Sequence, residues 1–369
     1  MRLAASAARF AQAIFAPGEL RVQTYVDDPA GVVYGKSKEE RNKLIAIYLL
    51  FCRTLGFDIN WKKVQRGRVI DWIGGRFELT EEEDLKVTLS AEKAQVLRKA
   101  LDDIVKKGMV TEKELRSTAG LASWAASVVP RARPFVSHMF GAMVDNKAKD
   151  KQTKESTRDR PKNLVFVRRF RHAALWLREL LADEHALVRK FSVRARWAPL
   201  SLGLRTDASP YGLGAILFKI ATGEVISYWA DDLRDEDFKR FKAQRGDPAW
   251  QNEWEMLAVL ASIVAFESDI AGEKFLLQAD NMTAIEAASR YKSTRPLINT
   301  MAGELALRMD KIRTEMTMAE HIPGILNVEA DALSRLSAGK VLPKELREAH
   351  RLQAPSRSDD FWMCWPQEW

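Results

Sequence analysis

The stretch that most limits what this chain can fold into is 202–217, LGLRTDASPYGLGAIL. Leu202, Leu204 and Thr206 alternate with Gly203, Arg205 and Asp207, the two-residue period of a strand with one face buried. Asp207 closes that strand, and Ser209-Pro210-Tyr211-Gly212 turns the chain back into a second strand, 213–219. A carboxylate at the end of a core strand, beside a tight turn, is placed to face a ligand. An isolated Asp before a turn is more often a turn former, so the weight falls on the other acids.

Glu255 lies in QNEWEMLAVLASIVAF, where 256–266 is apolar at every position except Ser262. A helix that apolar is buried on most sides, and an acid in its first turn lines a cleft or needs a partner. Asp280 ends another strand-like run, KFLLQAD, and Asn281 opens a helix behind it. Asp331 sits in NVEADALSR, a short helix signature, with His321 ten residues earlier in HIPGILNVEAD. Across 199–338 the order reads strand, strand, strand (224–230), buried helix, strand (274–279), helices (281–291 and 296–312), strand (314–321) and helix. A three-strand meander followed by α/β alternation gives an α/β fold, a mixed sheet covered by helices. Four acids at strand ends and helix starts, brought to one sheet edge, form the oxygen donor set that hard divalent cations take.

At this point the chain resembles ribonuclease H in the form carried by retroelement reverse transcriptases. The motifs are TDAS around Asp207, EMLA at Glu255, ADN around Asp280, and HIPG with N..AD.LSR holding His321 and Asp331. The resemblance covers 199–338 and implies a ribonuclease H-like mixed five-stranded sheet. It implies Asp207, Glu255, Asp280 and Asp331 as ligands of two Mg2+ ions, with Mn2+ as a substitute, and His321 as a proton shuttle at the leaving group. It implies an RNA/DNA hybrid as substrate, cut on the RNA strand, whose 2′-hydroxyls line a wide minor groove. Ser209 and Asn281 are nucleic-acid contacts in that reading. Two alternatives stand beside it: a non-catalytic nucleic-acid-binding relic, and a different two-metal nuclease or integrase. The RPLIN segment at 295–299, after the Asp280 helix, and a short thumb-like helical unit at 81–144 are similar to long-terminal-repeat or DIRS-type elements.

The N-terminal half extends the resemblance. Residues 21–35, RVQTYVDDPAGVVYG, read as strand, turn, strand with Asp27 and Asp28 at the tip. A helix over 37–55 follows, then LGFDINWKK and the turn Trp72-Ile73-Gly74. This resembles part of a reverse transcriptase palm, which implies Asp27 and Asp28 as a polymerase metal-site remnant and Lys62 as a nucleic-acid contact. The earlier palm strand and the fingers are absent from this chain, so DNA polymerisation by it alone is not expected, and the missing portion is a candidate partner. Over 90–107, Ala94, Leu97, Leu101 and Ile104 share one helical face, and Thr111-Glu-Lys-Glu114 has capping-box spacing. That helical unit is similar to a thumb, though a generic helical hairpin fits the same residues. Residues 145–163 are polar and aperiodic, a linker, and 164–188 reads as a helix carrying Trp176-Leu177. The expected division is therefore 1–80 partial α+β palm, 81–144 helical thumb, 145–198 basic linker and connecting helix, 199–338 ribonuclease H domain, and 339–369 tail. The tail ends FWMCWPQEW, either a docking patch or sequence beyond the folded domain.

Composition sets outer bounds. The 369 residues carry a net charge of +8, which suits a polyanionic partner and is also ordinary for a soluble protein of this length. Only Cys52 and Cys364 occur, without metal-type spacing, which fits a reducing intracellular compartment, cytoplasmic or nuclear. The Ala- and Arg-containing N-terminus leaves organellar import as a lesser alternative. No apolar run has the length to span a bilayer, so no membrane partner is expected.

Overall fold

The computed structural model describes residues 2–16, 18–25, 28–80, 84–144, 163–183, 187–191 and 200–363. They divide into two compact units, Met1–Ser90 with Arg189–Arg194, and Ala91–Val188 with Ala195–Trp369.

The first unit holds the helix Arg2–Ala13, an antiparallel hairpin and the helix Lys38–Thr54. Leu20–Tyr25 pairs with Asp28–Val33 from Leu20↔Val33 up to Tyr25↔Asp28. Leu20, Val22, Leu44, Ala8 and Phe15 make a small apolar cluster beneath it. Ser37 caps the second helix, its Oγ accepting from the Glu40 amide at 3.1 Å. A second sheet runs in the order Val69–Trp72, Gly75–Leu79, Leu85–Leu89, Val188–Phe191. Ile73 and Gly74 join its first two strands at φ +43° and +84°, the left-handed pair that a two-residue hairpin turn requires. The unit thus runs beyond residue 80, because the Leu85–Leu89 strand continues this sheet.

The second unit begins with the helices Ala91–Val105, Glu112–Val128, Arg133–Val144 and Arg171–Leu180. Ala94, Leu97, Leu101 and Ile104 are buried as their spacing implies. The capping box forms: Glu114 N donates to Thr111 Oγ1 at 3.1 Å, and Thr111 N to Glu114 Oε2 at 2.8 Å. The reading of 164–188 as one helix is corrected. Leu164–Phe166 is a strand paired with Met109–Thr111, the helix spans only Arg171–Leu180, and Val188–Phe191 is again a strand. The β-branched and aromatic run Val165-Phe166-Val167 favours extended backbone over helix. Trp176 stacks on Phe135, with ring centroids 3.8 Å apart. The linker expected over 145–163 lies outside the described residues except for Asn163.

The main sheet has six strands in the order Glu315–His321, Lys274–Ala279, Leu202–Ala208, Gly212–Lys219, Val225–Asp232, His350–Arg351. The first three are mutually parallel, and the meander from Leu202 to Asp232 is antiparallel. Five strands were expected. The sixth, His350–Arg351, comes from the tail and pairs parallel with Ser227 and Tyr228.

Both faces of this sheet are covered, which corrects the expectation of one solvent-facing side for the Leu202–Ala208 strand. Leu204, Leu213, Ala215, Leu217 and Trp229 pack with the helices Gln251–Ala265 and Pro296–Lys311. Ile216, Phe218 and Tyr228 point the other way, against Leu333 of the helix Val328–Ser334 and Leu346. Gly214 is what lets that helix approach, since a Cβ there would collide with Leu333 and the Ser334 amide. No helix among the described residues is long and apolar enough to cross a membrane.

Candidate metal centre and active site

Three of the four acids meet at one end of the sheet. Asp207, the next-to-last residue of its strand, Glu255 and Asp280 each offer a carboxylate oxygen, and these oxygens lie within 4.8 Å of one another. Asp207 and Glu255 are each only 3% exposed. Glu255 stands in the second turn of Gln251–Ala265 rather than the first, because the helix begins five residues before its apolar run. Asp280 follows the last residue of Lys274–Ala279, and Asn281 caps the next helix, its Oδ1 accepting from Ala284 N at 3.0 Å.

The surroundings hold the carboxylates in place. Asp207 Oδ1 accepts from Asn327 Nδ2 at 3.1 Å, and Oδ2 from Ser334 Oγ at 2.5 Å. Gln251 Nε2 donates to Glu255 Oε1 at 2.9 Å and to the Ala208 carbonyl at 2.7 Å. Asn327, Ser334 and Gln251 received no role from the sequence. Asn327 and Ser334 stand inside the N..AD.LSR motif, and Gln251, one turn before Glu255, had a helical-spacing signal. A Cβ at Gly324 would lie 3.1 Å from Asp280 Oδ2, so the glycine of HIPG keeps that carboxylate clear.

Like charges packed out of water resist ionisation. Burial lifts Asp207 to about 7, opposed by the Ser334 hydrogen bond and reinforced by Asp280 and Asp331. Burial, then the neighbouring Asp207, pushes Glu255 well above the ordinary carboxylate value. Asp280 is raised too, chiefly by burial. Glu255 Oε2 is buried with no hydrogen-bond partner. Three clustered carboxylates with raised affinities for protons, one oxygen of them orphaned, fit a hard divalent cation: it would accept that oxygen and relieve the repulsion.

The structure sets Asp331 apart from this trio. It pairs with Arg335 at 2.7 Å and with Lys340. Partial burial pulls its pKa up, but the hydrogen bonds and charges of Lys340 and Arg335 outweigh that and lower it. His321 ends its strand exposed at the rim, with Nε2 3.1 Å from the Asp280 carbonyl oxygen. A carbonyl only accepts, so that nitrogen carries the proton here.

The proposed nucleic-acid contacts fare unevenly. Ser209 is fully buried, its Oγ donating to the Ser334 carbonyl at 2.7 Å and accepting from Tyr211 N and Gly212 N at 3.2 and 3.0 Å. It is a turn former, with no surface left for a ligand. Asn281 is half-buried, and its Nδ2 donates to Asn252 Oδ1 at 3.1 Å. Lys62 is exposed in the short helix Trp61–Lys63. Asp27 lies outside the described residues. Asp28 is exposed, and its carbonyl accepts from the Trp72 indole at 3.1 Å.

No family model matches the chain, and no curated protein matches it. Among solved structures it is similar to ribonuclease H1 from the halophilic archaeon Halobacterium salinarum NRC-1, with 18% identity and a TM-score of 0.28, over 38% of this chain and 98% of that one. It is also similar to the foamy viral protease-reverse transcriptase in complex with RNA/DNA hybrid, with 14% identity and a TM-score of 0.38, over 87% of this chain and 38% of that one. The same viral protein in complex with double-stranded DNA gives 13% identity and a TM-score of 0.33, over 83% of this chain and 56% of the other. This chain thus spans 38% and 56% of the length of those two viral chains. Identities and TM-scores this low bear on neither activity nor partner.

Proposed function

We propose that the chain is a metal-dependent endonuclease that cuts the RNA strand of RNA/DNA hybrids. The observation that carries this reading is the trio Asp207, Glu255 and Asp280, the first two buried and the third half-buried, whose oxygens lie within 4.8 Å of one another at the end of the mixed sheet. The motif resemblance supplies the substrate class. Bound divalent cations, two in this reading, neutralise phosphate charge and activate water. Asp207, Glu255 and Asp280 would hold them, and Asp331, now paired with Arg335 and Lys340, would be the fourth ligand. Asn327, Ser334 and Gln251 orient the first two carboxylates. His321, exposed beside Asp280, moves a proton at the leaving oxygen.

The test is cleavage of a labelled RNA/DNA hybrid by the full chain with Mg2+ or Mn2+, compared with double-stranded DNA. Asp280→Asn removes one ligand charge and abolishes cleavage. His321→Ala slows turnover by on the order of 10²-fold and leaves Mn2+ affinity, measured by calorimetry, unchanged. Cleavage by Asp280→Asn at the parental rate defeats the site assignment. Hybrid binding without any cleavage supports the relic alternative.

A further inference from the structure

Two residues below the acids lies a row of polar side chains that the proposed chemistry leaves unused. On three neighbouring parallel strands, Gln278 pairs with Arg205 on one side and with Glu320 on the other. Residues two apart on a strand share a face, so Arg205 sits directly beneath Asp207. Gln278 precedes Asp280 by the same interval. The Arg205 guanidinium donates from Nε and Nη2 to Gln278 Oε1 at 3.1 and 3.0 Å, and from Nη1 to Glu329 Oε2 at 2.9 Å. Gln278 Nε2 continues the chain to Glu320 Oε2 at 3.0 Å. Glu329 belongs to the helix Val328–Ser334, again two residues before an acid, Asp331. The guanidinium lies over the Phe218 ring, 5.0 Å from its centroid. Phe218 occupies the space above Gly203, where any Cβ would strike the ring.

We propose that Arg205 is a positioning residue for the acid site. Its fork joins the strand Leu202–Ala208, the strand Lys274–Ala279 and the helix Val328–Ser334, each two residues short of Asp207, Asp280 or Asp331. The carboxylates above repel one another, and a cation site tolerates displacement of only about half an ångström. Strand pairing alone fixes the backbone of Asp207 relative to Asp280, but the helix bearing Asp331 has no ladder to the sheet. Side chains tie it instead: Ser334 to Asp207 and Ser209 at its C-terminal end, and Glu329 to Arg205 in its first turn. A planar fork held on two edges and one face sets distance and orientation together, which a lysine cannot do. The inference rests on the reading of the acids as a cation site.

The test is Mn2+ titration of the full chain by calorimetry, beside thermal unfolding in chelator. Arg205→Met keeps an apolar stem on Phe218 and deletes the fork. The expected result is an affinity for Mn2+ lowered about 10- to 100-fold, with the midpoint in chelator moved by no more than about 4 °C. Arg205→Lys shows the same loss of affinity, because charge without the fork does not position. Parental affinity in Arg205→Met overturns the proposal and leaves the acid site standing. No Mn2+ binding by the parent overturns both. A larger drop in midpoint shifts the decision to Gln278→Leu, which removes the acceptor of the fork and the bond to Glu320 and leaves the guanidinium in place. Parental affinity there overturns the proposal, and a loss of affinity upholds it.

Discussion

Asp207 stands under two opposed demands, packing inside the fold and carrying charge at the site. Burial raises it to about 7, from 3.8 for the free group. A folded-state value above the unfolded one means a contribution to stability that is whole below 3.8 and is lost as pH rises through about 7. Without cation, the chain is therefore less stable on this account at pH 8 than in acid. Asp207→Asn deletes the buried charge and stabilises the metal-free chain at pH 8 by on the order of 1–2 kcal/mol, part of a shift carrying about 1.4 kcal/mol per unit. At pH 4 the same variant gains nothing. Thermal unfolding in chelator at both pH values checks this, and a lower midpoint for the variant at pH 8 refutes it. Added Mn2+ then raises the midpoint of the parent and not of the variant, since a ligand stabilises only the state that binds it. The acid was legible from TDAS and its flanks. Its hydrogen-bond partners were not, because Asn327 and Ser334 reach it across 120 and 127 residues of chain.

At the scale of elements, the tail is where the fold departs most from its sequence reading. The residues after 338 had no periodicity to follow, yet those described up to residue 363 are built into the second unit. Leu352 N donates to the Tyr228 carbonyl at 2.8 Å, extending the edge made by His350–Arg351. Phe361 and Trp362 enter the main core, and Met363 N donates to Glu304 Oε2 at 2.8 Å. Arg357 is the fastening. Its side chain is fully buried, bonded to both oxygens of Asp237 at 3.0 Å, to Asp231 at 2.8 Å and to the Asp232 carbonyl at 2.8 Å. Those partners lie 120 to 126 residues away, so no local pattern announces them. The strands of the meander, by contrast, were legible within a residue or two because apolar alternation is a local signal. Arg357→Met strands Asp237, which is 2% exposed, as an unpaired buried charge. The expected cost is about 3–5 kcal/mol, read from urea unfolding, and Arg357→Met/Asp237→Leu recovers a large part of it. A cost near zero for the single variant would mean that the tail is held by Phe361 and Trp362 alone.

For the whole molecule, the dividing line differs from the one the polar run at 145–163 suggested. Polar, aperiodic sequence marks chain without a packed face, and it says little about which flanking elements pack together. The helices of 91–180 belong to the same compact unit as the six-stranded sheet. Asn299, 2% exposed on the helix Pro296–Lys311, donates to the Pro134 carbonyl at 2.9 Å. Ser137 Oγ donates to the Ser293 carbonyl at 3.1 Å, and Arg131 pairs with Asp310. Cutting the chain at 199 thus removes the acceptor of Asn299 Nδ2 and exposes the side of Pro296–Lys311 that faced Arg133–Val144. The lost hydrogen bond costs about 0.5–1.5 kcal/mol, and the uncovered apolar surface adds to it at about 25 cal/mol per Å². Residues 199–369 alone are expected to melt lower than residues 91–369, by roughly 10 °C if about 3 kcal/mol is lost at 2–4 °C per kcal/mol. Residues 91–369 unfold in a single transition, because the bundle and the sheet share one packed unit. Calorimetry of the two fragments decides the matter. Equal midpoints would show that the helical bundle adds nothing to the sheet, and two transitions in 91–369 would divide what the packing joins.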